Sequence, residues 1–303
     1  MDAEPRTGGS EARQAGVETI ETRAGAERLT APGDWDRYWE GVPLPREIRR
    51  TPGGLYLNAI LDVFDRHLPR GEDLRALEIG GAPGQYLAYV YRTFGYEVHC
   101  LDYSQLGCEA TRRNLAMLGI PGTVHEADLF DDSTPSRLPA FDVVYSLGLI
   151  EHFADLEGVV ERHLAFLRPG GTLLLGVPNF QGVNGWFLRT LAPKLYAQHH
   201  IPTMNLRRWT RFERRFGLER LYRGYVGGFE PAVVRRREPG AGGRFRRRVA
   251  GALFRLLHER FAVLRRLNGR LISGYAMGVY RKPGSSTSNA SPIPATPLSR
   301  SST

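Results

Sequence analysis

The run Ala76-Leu-Glu-Ile-Gly80-Gly81-Ala82-Pro83-Gly84-Gln85-Tyr86-Leu87 constrains this chain more than any other stretch. It reads as a strand that ends in a glycine turn and opens straight into a helix. Residues without a Cβ let a ligand lie against such a turn, and the free N–H groups of the next helix face it. A βα unit with a ligand at the carboxyl end of its strand is therefore expected here.

About twenty residues on, a second apolar run, Val98-His99-Cys100-Leu101, ends in Asp102. An acid at that distance is placed to accept both hydroxyls of a ribose, so a ribose-containing cofactor is indicated. The pair alone does not separate a nicotinamide dinucleotide from other ribose-bearing cofactors.

Short apolar runs alternate with helical segments from Leu74 onward. Strands are expected at Leu74 to Ile79, Glu97 to Leu101, Thr123 to Glu126, Phe141 to Ser146 and Gly171 to Val177, and two more at Leu218 to Tyr225 and Gly274 to Arg281. Helices are expected at Gln85 to Thr93, Gln105 to Leu118 and Leu156 to Leu167, the last stopped by Arg168-Pro169-Gly170-Gly171. This alternation implies βαβ units and a mostly parallel sheet. Ahead of it, Trp35, Tyr38 and Trp39, then Leu57, Ile60, Leu61 and Phe64, fall at helical spacing and predict a helical flank over 34–68.

The segments that follow are Glu126-Ala127-Asp128-Leu129-Phe130, Phe141-Asp142-Val143-Val144-Tyr145-Ser146-Leu147-Gly148-Leu149-Ile150-Glu151-His152-Phe153 and Leu167-Arg168-Pro169-Gly170-Gly171-Thr172. In order and spacing, residues 74 to 180 resemble the class I S-adenosylmethionine-dependent methyltransferases. The resemblance implies a Rossmann-like three-layer α/β sandwich, its mostly parallel seven-stranded sheet carrying an antiparallel last strand. It implies S-adenosyl-L-methionine as cofactor. Glu78, Gly80, Gly81, Ala82 and Gly84 would line the methionine part, Asp102 the ribose with Tyr103 beside it, and Asp128 with Leu129 the adenine edge. Leu147 would face the sulfonium side. The family turn usually carries a third glycine where this chain has Ala82 followed by Pro83.

The sulfonium already makes the methyl group electrophilic, so the protein must chiefly align donor and nucleophile. A hydroxyl or phenol acceptor benefits from a base, and Glu151, His152, His199 and His200 are the candidates. His152 also reads as a helix-start residue near the cofactor, and His199-His200 as part of a substrate-side insert at about 180–210. That insert carries Trp186, Phe187, Leu188, Leu191, Leu195 and Tyr196, which suit either lid packing or a greasy acceptor site. No tight sequence spacing unites these acid and imidazole groups, so no metal is expected.

The net charge of +9 is local. Residues 233 to 273 hold twelve Arg against Glu238 and Glu259, a balance of +10 that leaves the rest of the chain near neutral. Leu253, Leu257, Phe261 and Leu264 form a helical stripe inside this basic stretch. It suits packing on the domain, or peripheral contact with an anionic membrane through Arg235–Arg270, each cation near the surface adding about 1 kcal/mol.

An acceptor that is small or lipid-like, methylated on oxygen, is the leading expectation. RNA methylation is the runner-up, but Lys occurs only at Lys194 and Lys282, against the Lys-Asp-Lys-Glu set of 2′-O-methylating enzymes, and no Asn/Asp-Pro-Pro segment follows the fourth strand. A non-catalytic cofactor-binding scaffold and a dehydrogenase complete the alternatives. Cys100 and Cys108 make no disulfide framework, and the first thirty residues lack an apolar run. A cytoplasmic setting, with peripheral membrane contact where the basic segment allows it, is expected.

The domain layout expected is a disordered tail over 1–31, a helical flank over 32–70, the methyltransferase domain over 71–282 and a Ser/Thr/Pro tail over 283–303.

Overall fold

The computed structural model describes residues 20–21, 27–30, 32–52, 54–229, 249, 252–253 and 267–284. Most of the basic stretch over 233–266, with its apolar stripe, lies outside them, as do residues 285–303.

Two short antiparallel strands, β1 (Ile20–Glu21) and β2 (Glu27–Arg28), precede α1 (Pro32–Trp39) and α2 (Leu55–His67). Both strands fall within residues 1–31, the segment expected as a tail. Arg28 and Thr30 are buried, because the backbone pairs with the main domain: Leu29 N–H donates to the His152 carbonyl at 3.0 Å. The helical flank expected over 34–68 is built as two helices. Pro43, Pro45 and Pro52 between them cannot donate to a helical ladder, which breaks the run.

The chain then alternates as β3 (Arg75–Ile79), α3 (Gln85–Phe94), β4 (Glu97–Asp102), α4 (Gln105–Leu118), β5 (Gly122–Glu126), α5 (Thr134–Arg137), β6 (Phe141–Leu147), α6 (Leu156–Phe166) and β7 (Leu167–Pro178). The insert follows as α7 (Gly182–Leu191), α8 (Pro193–Ala197) and α9 (Leu206–Arg215), and β8 (Glu219–Val226) and β9 (Tyr275–Arg281) close the sheet.

The seven strands lie in the order β5-β4-β3-β6-β7-β9-β8, the first five parallel and β9 antiparallel to both its neighbours. Alternate residues face opposite layers. Ala76, Val98, Val143 and Leu174 pack under α2, α3 and α4, while Leu77, Val144, Leu173 and Leu175 pack on α6 and α9. This is the three-layer Rossmann-like sandwich with an antiparallel last strand. Strand order reverses on either side of β3, so the crevice that binds ligands in such sheets opens at the carboxyl ends of β3, β4 and β6. Among the described residues no helix is long and apolar enough to cross a membrane.

Candidate functional site

A cavity of about 450 Å³ opens at that crevice, within the range of roughly 300–1,000 Å³ usual for small-molecule sites. Its floor is the glycine turn. Gly80 and Gly84 both take positive φ, +69° and +81°, and Gly80 N–H is held by the Leu101 carbonyl at 2.8 Å. A Cβ on Gly81 would lie 2.6 Å from Cγ and Cδ of Glu78, so the turn and this carboxyl close against one another.

Glu78 is buried at the end of β3 and its Oε2 accepts a hydrogen bond from the Tyr145 hydroxyl at 3.2 Å. Burial disfavours the charged form and pushes its carboxyl up to about 8. Asp102, at the end of β4, accepts from Ser104 N–H at 3.0 Å and is raised to about 6, again by burial.

Of the cofactor contacts expected, Glu78, Gly80, Gly81, Ala82, Asp102, Tyr103, Leu129 and Leu147 line this cavity. Gly84 does not. Its absent Cβ makes room for Thr111 of α4, 2.9 Å away, so it serves the packing of the turn. Asp128 is not on the wall either. Its carboxylate pairs with the Arg28 guanidinium and accepts from Phe130 N–H at 2.9 Å, and Arg28 takes the wall position beside Tyr103.

The other end of the cavity is built by a 3₁₀ turn, Ile150–His152, and the end of α8. His152 and His199 line it, their rings 4.5 Å apart, between Trp35 of α1 and Phe180. His152 Nδ1–H donates to the Gln198 carbonyl at 3.0 Å and His199 Nδ1–H to the Leu195 carbonyl at 2.6 Å. Those bonds set the tautomer and leave each Nε2 as an acceptor. Burial lowers both rings, to about 3 and about 4, so both are neutral at neutral pH. Glu151 between them is buried, raised to about 8 by desolvation, and its Oε2 has no partner.

His200, by contrast, lies away from the cavity, its Nδ1 2.9 Å from Thr203 Oγ1. No tight sequence spacing unites the acid and imidazole groups, but the fold brings three of them together. Folding of the insert brings one ligand atom each of Glu151, His152 and His199 within 4.8 Å of one another. Asp142 accepts from Arg75 N–H at 2.8 Å and pairs with Arg168 at 2.7 Å, so it ties two strand ends together.

The walls that sequence reasoning missed come from outside the core motif. Trp35, Tyr38 and Trp39 of α1, Tyr56 of α2 and Tyr275 of β9 all face the cavity. The helical spacing of the first three was visible, but their partner surface was not. Arg270, the one arginine of the Arg235–Arg270 segment among the described residues, is tied to the insert through Nε to Gln181 Oε1 at 2.7 Å.

A family model described as a methyltransferase domain matches residues 49–222. The chain belongs to this family, the class I S-adenosylmethionine-dependent methyltransferases. Among curated proteins it is similar to a glycine/sarcosine/dimethylglycine N-methyltransferase of Actinopolyspora halophila, 29% identical over 106 residues, which are 35% of this chain and 19% of that one. It is also similar to a sarcosine/dimethylglycine N-methyltransferase of Aphanothece halophytica, 24% identical over 155 residues, 49% of this chain and 55% of that one. The matched part thus spans about a fifth of one relative and about half of the other.

Two solved structures share the fold. Geranyl diphosphate C-methyltransferase from Streptomyces coelicolor A3(2), in complex with Mg²⁺, geranyl diphosphate and S-adenosyl-L-homocysteine, superposes with a TM-score of 0.55 at 13% identity, covering 83% of this chain and 97% of that one. A methyltransferase from Thiobacillus denitrificans bound to S-adenosyl-L-homocysteine gives 0.50 at 17% identity, covering 83% and 99%.

S-adenosylmethionine is the cofactor of this family, and the residues present fit it. The glycine floor admits a close ligand, Asp102 offers acceptors to a diol, and the buried carboxyl of Glu78 offers a partner to an ammonium. The family match and the antiparallel β9 set aside the dehydrogenase alternative.

Proposed function

We propose that the chain transfers the methyl group of S-adenosylmethionine to an oxygen of a small-molecule acceptor held at the Glu151, His152 and His199 end of the cavity. The single observation that carries this reading is that one cavity joins the glycine turn and Asp102 to two neutral imidazoles with free Nε2 atoms. The cofactor supplies an electrophilic methyl carbon. Glu78 and Gly80 to Ala82 hold its amino-acid part, Asp102 its ribose, and Tyr103 and Leu129 its adenine side.

At the other end an Nε2 lone pair accepts a hydrogen bond from the acceptor hydroxyl, which turns an oxygen lone pair toward the donor. The aromatic walls from α1, α2 and β9 exclude water and suit a flat or greasy acceptor. An amine acceptor is the second reading, favoured by the N-methyltransferase activities for which both curated relatives are named.

The test is turnover of purified full-length chain with methyl-labelled cofactor against three panels: small phenols and alcohols, small amines including sarcosine, and transfer RNA. Label in the hydroxyl panel that is lost in His199→Ala supports the reading. Label only in amines moves the transfer to nitrogen, label only in RNA overturns the small-molecule acceptor, and cofactor binding without label in any panel indicates a scaffold.

A further inference from the structure

Glu151, His152 and His199 come from two places in the chain that only the fold unites. Glu151 and His152 sit on the 3₁₀ turn after β6, and His199 follows α8. The backbone is locked there, because His200 N–H donates to the Glu151 carbonyl at 2.7 Å and the Leu195 and Gln198 carbonyls take the two Nδ1–H groups. Histidines that ligate a metal usually donate their other ring N–H to a carbonyl or carboxylate, which orients the free nitrogen and raises its basicity. Both imidazoles here are held in that way before any ligand arrives.

The carboxyl completes the set. Glu151 is 1% exposed, and its Oε2 is a buried oxygen with no hydrogen-bond partner. Leaving such an atom unsatisfied is costly, and on a cavity wall it has room to be met by a water or an ion. The nearest Glu151 oxygen and the free His152 nitrogen are 4.0 Å apart, and the three ligand atoms lie within 4.8 Å of one another. A tetrahedral ion with bonds of about 2.0–2.1 Å brings its ligand atoms to about 3.4 Å from each other, so side-chain rotations of about 1 Å close the shell.

We propose that Glu151, His152 and His199 form a divalent-metal site, of the class taken by Zn²⁺ or Fe²⁺, with an open coordination position toward the cavity. Two imidazoles and one carboxylate are the donor set of three-ligand sites that keep a place for a further ligand, and they suit a borderline ion better than Mg²⁺ or Ca²⁺, which prefer oxygen. The open position takes an oxygen donor, a hydroxyl or carboxylate of the small molecule. Such an ion would bind and orient that group beside the methyl donor. The site is read from protein ligands alone and goes beyond the proposed methyl transfer: with the ion bound, the two Nε2 lone pairs are spent on it, and the ion in their place holds the acceptor oxygen.

The experiment uses the full chain, stripped with a chelator, and titrates Co²⁺ and Zn²⁺ separately. The expected result is one equivalent of Co²⁺ bound with the visible absorption bands of a low-symmetry four- or five-coordinate site, displaced by Zn²⁺. Glu151→Gln and His199→Gln should each weaken Zn²⁺ binding by at least 100-fold. His125→Ala should not change it, which guards against an ion held by the His99 and His125 pair, whose ring nitrogens are 3.0 Å apart.

Circular dichroism and S-adenosylmethionine binding, measured on each variant, separate loss of the site from loss of the fold. If Glu151→Gln does not fold, the wild-type Co²⁺ spectrum and stoichiometry decide on their own. Absence of stoichiometric binding by the wild-type chain, a purely octahedral pale spectrum, or binding unchanged in folded variants overturns the site. Metal binding without any S-adenosylmethionine binding would keep the site and sink the methyl-transfer reading instead.

Discussion

Binding of S-adenosylmethionine should release a proton, and the source is Glu78. In the free protein its carboxyl is buried against Tyr145 and raised to about 8, so at pH 7 about nine in ten molecules carry it protonated. The ammonium of the incoming amino acid restores the charged form, and the free energy of ionising Glu78 is drawn from binding. The apparent Kd is then the intrinsic value multiplied by 1 + 10^(pKa − pH), about 100 at pH 6 and about 11 at pH 7, so affinity improves about tenfold over that step. Asp102, raised to about 6, adds a further factor of about 2. The rise flattens near pH 8, where a free α-amino group, with a pKa of about 7.7–8.0, starts to lose its own charge.

Calorimetric titration in buffers of different ionisation enthalpy measures both quantities. Wild-type chain should release close to one proton at pH 7, and Glu78→Gln should bind more weakly with only about a twofold change between pH 6 and 7. A Kd independent of pH in the wild type, or equal slopes in the two proteins, would refute the role given to Glu78.

Other consequences can be checked alongside. Gly81→Ala places a Cβ 2.6 Å from the Glu78 side chain and should weaken cofactor binding at least tenfold, about 1.4 kcal/mol, as read by the same titration. His163, wholly buried between the Val159 carbonyl and Ser146 Oγ, is lowered to about 4 by desolvation, so below pH 6.5 the unfolded chain binds the extra proton and stability falls with pH toward 4. Glu78 and Glu151 pull the other way, since their raised carboxyls stay protonated in the folded state while the unfolded chain ionises, so the comparison is between variant and wild type. The destabilisation caused by His163→Gln, from urea melts, should shrink by about 2 kcal/mol between pH 7 and pH 5. Arg28→Ala removes the partner of Asp128 and leaves the backbone bridge to Phe153 between β2 and the domain. It should lower stability by roughly 1–3 kcal/mol and leave residues 27–30 more open to protease, and unchanged stability would contradict the seating of Arg28.

The sheet was legible because its signals are local. Each strand is a short apolar run bounded by a turn, and the longer crossover helices carry local caps, such as Ser104 accepting from Gly107 N–H or Gly119 in the left-handed conformation after α4. The glycine turn and Asp102 were legible for the same reason, since their spacing is set by one βαβ unit. What was not legible depends on contacts between distant segments. His199 meets Glu151 and His152 because the insert folds back after α8, and nothing in the intervening sequence encodes that distance. Arg28 looked like part of a polar tail, yet it is buried and paired with Asp128, a contact between residues one hundred positions apart. The two histidines read as a pair, His199 and His200, part at the backbone, one turning to the cavity and the other to Thr203.

The most direct test of the central claim is a calorimetric titration of the full chain with S-adenosylmethionine and, separately, with NADH, repeated for Asp102→Ala. Asp102 sits at the carboxyl end of β4 with its carboxylate on the cavity wall, and a ribose diol has no other acceptor placed for it by the βαβ unit. The account predicts one equivalent of S-adenosylmethionine bound by the wild type, loss of that binding in a folded Asp102→Ala protein, and no heat from NADH. Binding of NADH in preference, or S-adenosylmethionine affinity unchanged by Asp102→Ala, would contradict it.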